Sequence, residues 1–189
     1  MNWTAPSSGY LWLIFLIYWL VSAARVKATK TRERWGKRLL CFLWVCVAFL
    51  LLFDPRVRFG WLSFHVVPDS PALGVIGLAV TVAGLAFAIW ARRHLGKNWS
   101  AVVTIRADHE LIRTGPYRFI RHPIYSGILL AMIGTALIVG EVRALLAVAI
   151  MALSFFFKAR KEEAWLAREF GDKFEAHIKH TGMFLPKFL

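Results

Sequence analysis

Along this chain, long apolar stretches without any charge alternate with short polar segments. Five such stretches stand out, at about 10–24, 39–53, 72–91, 124–140 and 144–157. A helix of about 20 apolar residues spans the hydrocarbon core of a bilayer, and somewhat fewer suffice when the ends sit at the interface. The pattern therefore predicts an all-α, polytopic membrane protein with about five transmembrane helices, forming a single membrane domain over residues 1–189. The second and fifth stretches are short, so their ends are expected in the flanking segments.

After Phe157 the pattern changes. In KARKEEAWLAREFGDKFEAHIKH, Leu166, Phe170, Phe174 and Ile178 recur every four residues, with Trp165 beside the stripe and charges elsewhere. That is the signature of an amphipathic helix, expected to lie on the cytosolic side against the membrane or the inner loops. Gly171 interrupts its middle and Pro186 follows its end.

Charge gives the arrangement a direction. The net charge is +13, which invites a nucleic-acid reading, but the basic residues are not spread evenly. Seven fall in 25–38, seven in 92–121 and seven after Phe157; Arg56, Arg58 and Arg143 are the only ones on the alternate connections. Twenty-one against three is the positive-inside distribution, and it predicts an outer N-terminus and a cytosolic C-terminus. Basicity of this kind serves orientation and contact with anionic headgroups, so no nucleic-acid partner is expected. Residues 1–24 contain no Lys or Arg. A secretory signal needs a positive leader, so the first stretch is expected to be a retained helix.

Small residues mark a packing seam. Gly77 and Gly84 lie seven apart in the third stretch, and Gly127 and Gly134 repeat that spacing in the fourth, with Ala131 between them. Such residues let helices approach closely in lipid. Cys41 and Cys46 match no metal or redox spacing and read as small apolar residues. No stretch carries an ionisable residue in its middle, as a transporter usually requires.

The outer connections are short, and Glu141-Val142-Arg143 is barely a turn, so the fourth and fifth stretches form a tight hairpin. Candidate chemistry lies at the inner end. RTGPYRFIRHPIYSG, residues 113–127, brings three arginines, two tyrosines and a histidine to the start of the fourth stretch. Gly115-Pro116 marks a turn, Pro123 suits a first helical turn, and Tyr117, Arg121 and Tyr125 can gather around His122. An interfacial anchor and an anion site at a helix N-terminus both use these residue types. Just past the fifth stretch come Lys158, Arg160, Lys161, Glu162 and Glu163, either a solvated helix start or a carboxylate pair for a cationic group. The hairpin brings both groups to one face. His94, His109, His177 and His180 add little by themselves; His177 and His180, three apart on the tail helix, have the spacing of a metal pair but no third ligand, so they read as surface histidines and no metal site is expected. GxGxxG, phosphate-loop, HExxH and GxSxG motifs are all absent.

HELIRTGPYRFIRHPIYSG, followed some thirty residues later by EEAWLAREFGDKFEAHIKHTGMFLP, resembles the isoprenylcysteine carboxyl methyltransferase family and the related membrane phospholipid methyltransferases. The resemblance covers residues 92–189, and it implies S-adenosylmethionine as methyl donor, held on the cytosolic side without a doubly wound sheet. It implies cofactor contacts from His109, Glu110, Leu111 and Ile112, completed by Tyr117 and by His122, Pro123, Ile124 and Tyr125, with Glu162 at the cofactor's ammonium. The family's substrate-holding arginine corresponds to Lys158, and Arg160 is nearby. The expected reaction is carboxyl methylation of a lipophilic, isoprenylcysteine-like acceptor within the lipid. Alternatives are N-methylation of an aminophospholipid with Glu163 or His122 as base, methylation of a small lipophilic thiol, and a non-enzymatic carrier or assembly protein.

Overall fold

The computed structural model describes residues 3–24, 35–96 and 111–187. Its elements are α1 (Thr4–Ala24), α2 (Trp35–Phe53), α3 (Pro71–Leu95), α4 (Pro123–Val139), α5 (Val142–Phe170) and α6 (Asp172–His180). Short 3-10 turns occupy Pro55–Val57, Gly60–Ser63 and Gly115–Arg118. The described residues form no strand; the only β pairings among them are isolated bridges, Ile120 with Gly182 and His65 with Glu141. The fold is all-α, and α1, α3 and α5 are long and apolar enough to cross a membrane. The apolar part of α2, Phe42–Phe53, and α4 are shorter.

Three of the helices differ in extent from the hydropathy blocks for local reasons. Proline at the first position starts α3 and α4, where its missing N–H costs nothing and its fixed φ suits the helix. The fifth block does not end at Phe157. Helix α5 continues through Lys158–Glu163 to Phe170, because Ala, Lys, Arg, Glu and Leu are all good helix formers. The expected tail helix is therefore two pieces: its first half belongs to α5, and Gly171, at φ +47°, turns the chain into α6. Residues with a Cβ rarely adopt that conformation.

The α3–α4 seam is the tightest contact in the bundle. A Cβ on Gly84 would stand 2.4 Å from the Ala131 nitrogen and 2.6 Å from the Gly127 oxygen, and one on Gly134 would stand 2.5 Å from the Gly77 oxygen. Backbone meets backbone here, so only glycine fits. Beside the seam, Trp12 of α1 donates its indole N–H to Thr135 Oγ1 at 2.9 Å, and the Thr81 and Thr135 hydroxyls lie 3.3 Å apart. Both threonines bond carbonyls of their own helices as well, so the buried hydroxyls are satisfied. Trp12, Phe15, Phe49 and Leu52 extend the apolar core onto α2.

The hairpin turn is pinned by charge. Arg143, buried, donates Nε to Glu141 Oε2 at 2.6 Å and Nη1 to the Leu51 carbonyl at 2.7 Å, near the end of α2. Arg58 closes on Glu141 Oε1 at 2.7 Å. A residue that the sequence presents as a loop charge thus joins three elements.

Candidate functional site

At the other end of the hairpin, the entrance of α4 meets the second half of α5. Glycine and proline open the 3-10 turn Gly115–Arg118, and Pro123 starts α4. Between them, Arg121 and His122 are set against the adjacent Glu162 and Glu163 of α5. Arg121 donates Nε to Glu163 Oε1 at 2.6 Å. His122, 7% exposed, holds Nδ1 at 3.4 Å from Glu162 Oε2 and Nε2 at 3.3 Å from Glu163 Oε1. The second approach lies outside hydrogen-bond geometry, leaving Nε2 buried without a hydrogen bond. Tyr125, one turn into α4, donates its hydroxyl to Glu162 Oε1 at 2.7 Å. Its ring lies parallel to His122, centroids 5.4 Å apart, and stacks on Phe155 at 4.6 Å. Lys158 places Nζ 5.4 Å from the Tyr125 ring centroid, a cation–π distance.

The expected convergence of the two constellations is therefore a contact. Glu162, His122, Tyr125 and Lys158 share one corner, with Pro123 and Ile124 buried beneath it. Arg160 is exposed and takes no part in the contacts around Tyr125 and Glu162. Tyr117 stands to one side: buried, it donates to the Ala91 carbonyl at 3.4 Å, packs with Ala91 and Ile124, and stacks near His94. Burial, with the Glu162 charge adding to it against Arg92, pushes its phenol well above the ordinary range. Leu111 and Ile112 are half-buried, and Ile112 packs against the same cluster. His109 and Glu110 lie outside the described residues.

One part of the site escaped the sequence reading. After α6 the chain doubles back across the α4 entrance: Arg121 N bonds Gly182 O at 2.9 Å, His122 N bonds Met183 O at 3.1 Å, and Gly182 N bonds Phe119 O at 3.3 Å. Ser126 Oγ donates to Phe184 O at 2.6 Å, and Arg121 Nη1 donates to the Thr181 carbonyl. This strap, 181–184, covers the Arg121–Glu163 pair. His177 is also not a surface histidine. It is buried, and burial, together with Arg113, Arg121 and His180, holds its pKa below the ordinary 6.5.

His122 behaves in the opposite way. Burial disfavours the imidazolium, but Glu162 and Glu163 outweigh it and raise the pKa above 6.5. A raised folded-state pKa gives stability that is fully present below the unfolded value and lost as pH rises through the folded value. The purified protein should therefore melt at a lower temperature at about pH 9 than at about pH 6. In the His122→Asn variant this part of the pH dependence should vanish; an unchanged profile would assign it to other groups.

These residues suit a ligand with a cationic group beside an aromatic or planar part. Glu162 offers a half-buried carboxylate, and the His122–Tyr125–Phe155 stack offers flat surface.

The sequence model of the phospholipid methyltransferase family matches residues 73–173, more than half of the chain, including the α4 entrance and both glutamates. The chain belongs to that family. It is 31% identical over 94 residues to the protein-S-isoprenylcysteine O-methyltransferase of Schizosaccharomyces pombe, a match covering 48% of this chain and 40% of that protein. To a probable protein-S-isoprenylcysteine O-methyltransferase of Oryza sativa subsp. indica it is 30% identical over 127 residues, 65% of this chain and 66% of the relative. Its fold is similar to the solved eukaryotic intramembrane Ras methyltransferase, isoprenylcysteine carboxyl methyltransferase, with a TM-score of 0.54 and 23% identity. That likeness covers 82% of this chain and 54% of the other. The chain thus spans 40% to 66% of the length of these relatives. With this membership and its apolar helices, the chain is an integral membrane protein.

Proposed function

We propose that this chain is an S-adenosylmethionine-dependent methyltransferase acting on a lipophilic acceptor, and that its reaction is carboxyl methylation of an isoprenylcysteine-like acid. The observation that carries the reading is the corner where Tyr125 and His122 of the α4 entrance meet Glu162 of α5, with Lys158 one turn away. The names of the two curated relatives support the substrate class. In this reading the chain is one membrane domain that crosses the bilayer five times, N-terminus outside, with the site-bearing half, 92–189, opening to the cytosol.

When bound, S-adenosylmethionine supplies a sulfonium methyl that is already activated for in-line displacement. The protein's task is then mostly positioning. Glu162 receives the cofactor's ammonium, with Tyr125 and His122 fixing the carboxylate; His109, Glu110, Leu111, Ile112, Tyr117, Pro123 and Ile124 line the remainder. Lys158 holds the acceptor carboxylate as a point charge. It lacks the bidentate fork of arginine, and Arg160, exposed, is the weaker candidate for that role.

N-methylation of an aminophospholipid, which the family's name favours, needs a base to take a proton from the amine. The two candidates are both engaged: Glu162 and Glu163 raise the His122 pKa above its ordinary value, favouring the imidazolium that cannot take a proton, and Glu163 is paired with Arg121 at 2.6 Å. A carboxylate acceptor needs no base, and the site agrees better with that demand.

Radiolabelled methyl transfer tests the reading, with a farnesylated cysteine acid and phosphatidylethanolamine offered in parallel to the protein in liposomes. Base-labile label on the prenyl acid is the expected result; label in phospholipid would transfer the reading to N-methylation. In the same assay Lys158→Ala should lower turnover of the acid about tenfold or more while cofactor affinity stays within about twofold, the loss of one charge-assisted contact. Equal losses in both would remove Lys158 from the acceptor.

A further inference from the structure

The connection between α2 and α3 carries a feature that the reaction does not use. Phe59, Trp61 and Phe64 are 62%, 59% and 66% exposed, three aromatic rings within six residues, and Arg56 beside them is exposed too. The segment is nonetheless well fixed. Asp54 accepts from the Arg56 N–H to open the first 3-10 turn, and Leu62 is buried. The Phe64 carbonyl accepts from Val142 N at 3.0 Å, and Val66 N donates to Gly140 O at 2.8 Å. Arg58 reaches Glu141. A rigid turn that buries one leucine and presents three aromatic rings is held for what it presents.

What covers it is indicated by its place. It begins where α2 ends and is stitched to the α4–α5 turn, so it lies at the boundary reached by three helices. The exposed Leu50 of α2 and Leu145 of α5 continue the apolar surface away from that boundary. A tryptophan with an arginine at such a level is the composition of a membrane–water interface, and the two phenylalanines beside it supply the apolar area that an interfacial segment buries at the headgroup–acyl boundary.

We propose that residues 55–66 are seated in the headgroup–acyl boundary of the bilayer leaflet opposite the site, and that this contact sets the depth of the α4–α5 hairpin. The helix provides the ruler. Glu162 lies twenty residues beyond Val142 in α5, about 30 Å at the α-helical rise, and the hydrocarbon core is about 30 Å thick. With the aromatic turn at one boundary, Glu162 stands at the other, where the head of a lipophilic molecule meets water. The inference needs the helices to cross the bilayer and does not depend on the reaction.

The test uses the full chain with Cys41 and Cys46 replaced by alanine and a single cysteine at Trp61→Cys or, separately, Phe64→Cys. Each carries an environment-sensitive fluorophore and is reconstituted into phosphatidylcholine vesicles brominated either near the headgroup end or near the methyl end of the acyl chain. Retained helical content and a monodisperse size-exclusion peak identify properly folded samples. Quenching severalfold stronger by the shallow bromines, at both positions, is expected. Water-like emission without quenching overturns the proposal, as does stronger quenching by the deep bromines. Apolar emission untouched by either bromine also overturns it, and would instead indicate a protein partner or a second copy over the rings.

Discussion

Glu162→Gln should weaken S-adenosylmethionine binding about ten- to a hundredfold, while the protein remains folded. The substitution keeps the acceptor for the Tyr125 hydroxyl and the volume at the corner, and removes only the negative charge. A hydrogen bond to a charged group contributes about 1.5–3 kcal/mol, and each 1.4 kcal/mol is about tenfold in affinity. Titration calorimetry in detergent gives the number directly. It also separates Glu162 from its neighbour, because Glu163 is committed to Arg121 and lies under the strap. Unchanged affinity would remove Glu162 from the cofactor site and leave the corner as a structural ion cluster.

The largest effect on stability is expected at Gly84→Val. Its side chain would have to occupy space already filled by the Ala131 nitrogen and the Gly127 oxygen. No flexible side chain stands between them, so α3 and α4 must separate. Overpacking costs about 1–3 kcal/mol where side chains can adjust, and a backbone contact sits at or above the upper end of that range. The expected readout is loss of the monodisperse peak on size exclusion and a melting temperature lowered by many degrees. Gly9→Val is the matched control: no heavy atom lies within 4 Å of a Cβ at Gly9, so it should be nearly silent. A monodisperse Gly84→Val protein with unchanged melting would mean that the helices do not meet as described.

Much of this was legible because it follows from periodicity and solvent. The apolar helices, three of them long enough to cross a membrane, the hairpin from Glu141-Val142-Arg143, the glycine seam and the meeting of His122 with Glu162 follow from apolar length, small-residue spacing and a short turn. What was not legible has identifiable causes. The strap binds through carbonyls of Thr181, Gly182, Met183 and Phe184, and main-chain acceptors leave no mark on residue type. Arg143 reads as a loop charge because its partners, Glu141 aside, are the main-chain carbonyls of Leu51 and Asp54. The division of the tail at Gly171 was half visible. The glycine stands in the sequence, but a four-residue stripe running through it reads as one helix, and only the positive φ reveals that Phe170 and Phe174 lie on separate axes. His177 reads as a surface residue because a polar position beside Ile178 has the same pattern whether its side of the helix faces water or protein.

The contact of α3 with α4 through bare backbone has a consequence for traffic within the lipid. Side-chain interfaces can slide, since rotamers exchange partners as helices shift. Two helices in register through glycines have no such freedom, and they move as one wall. Under the proposed reaction, a lipophilic acceptor bound for Tyr125 would therefore not pass between α3 and α4.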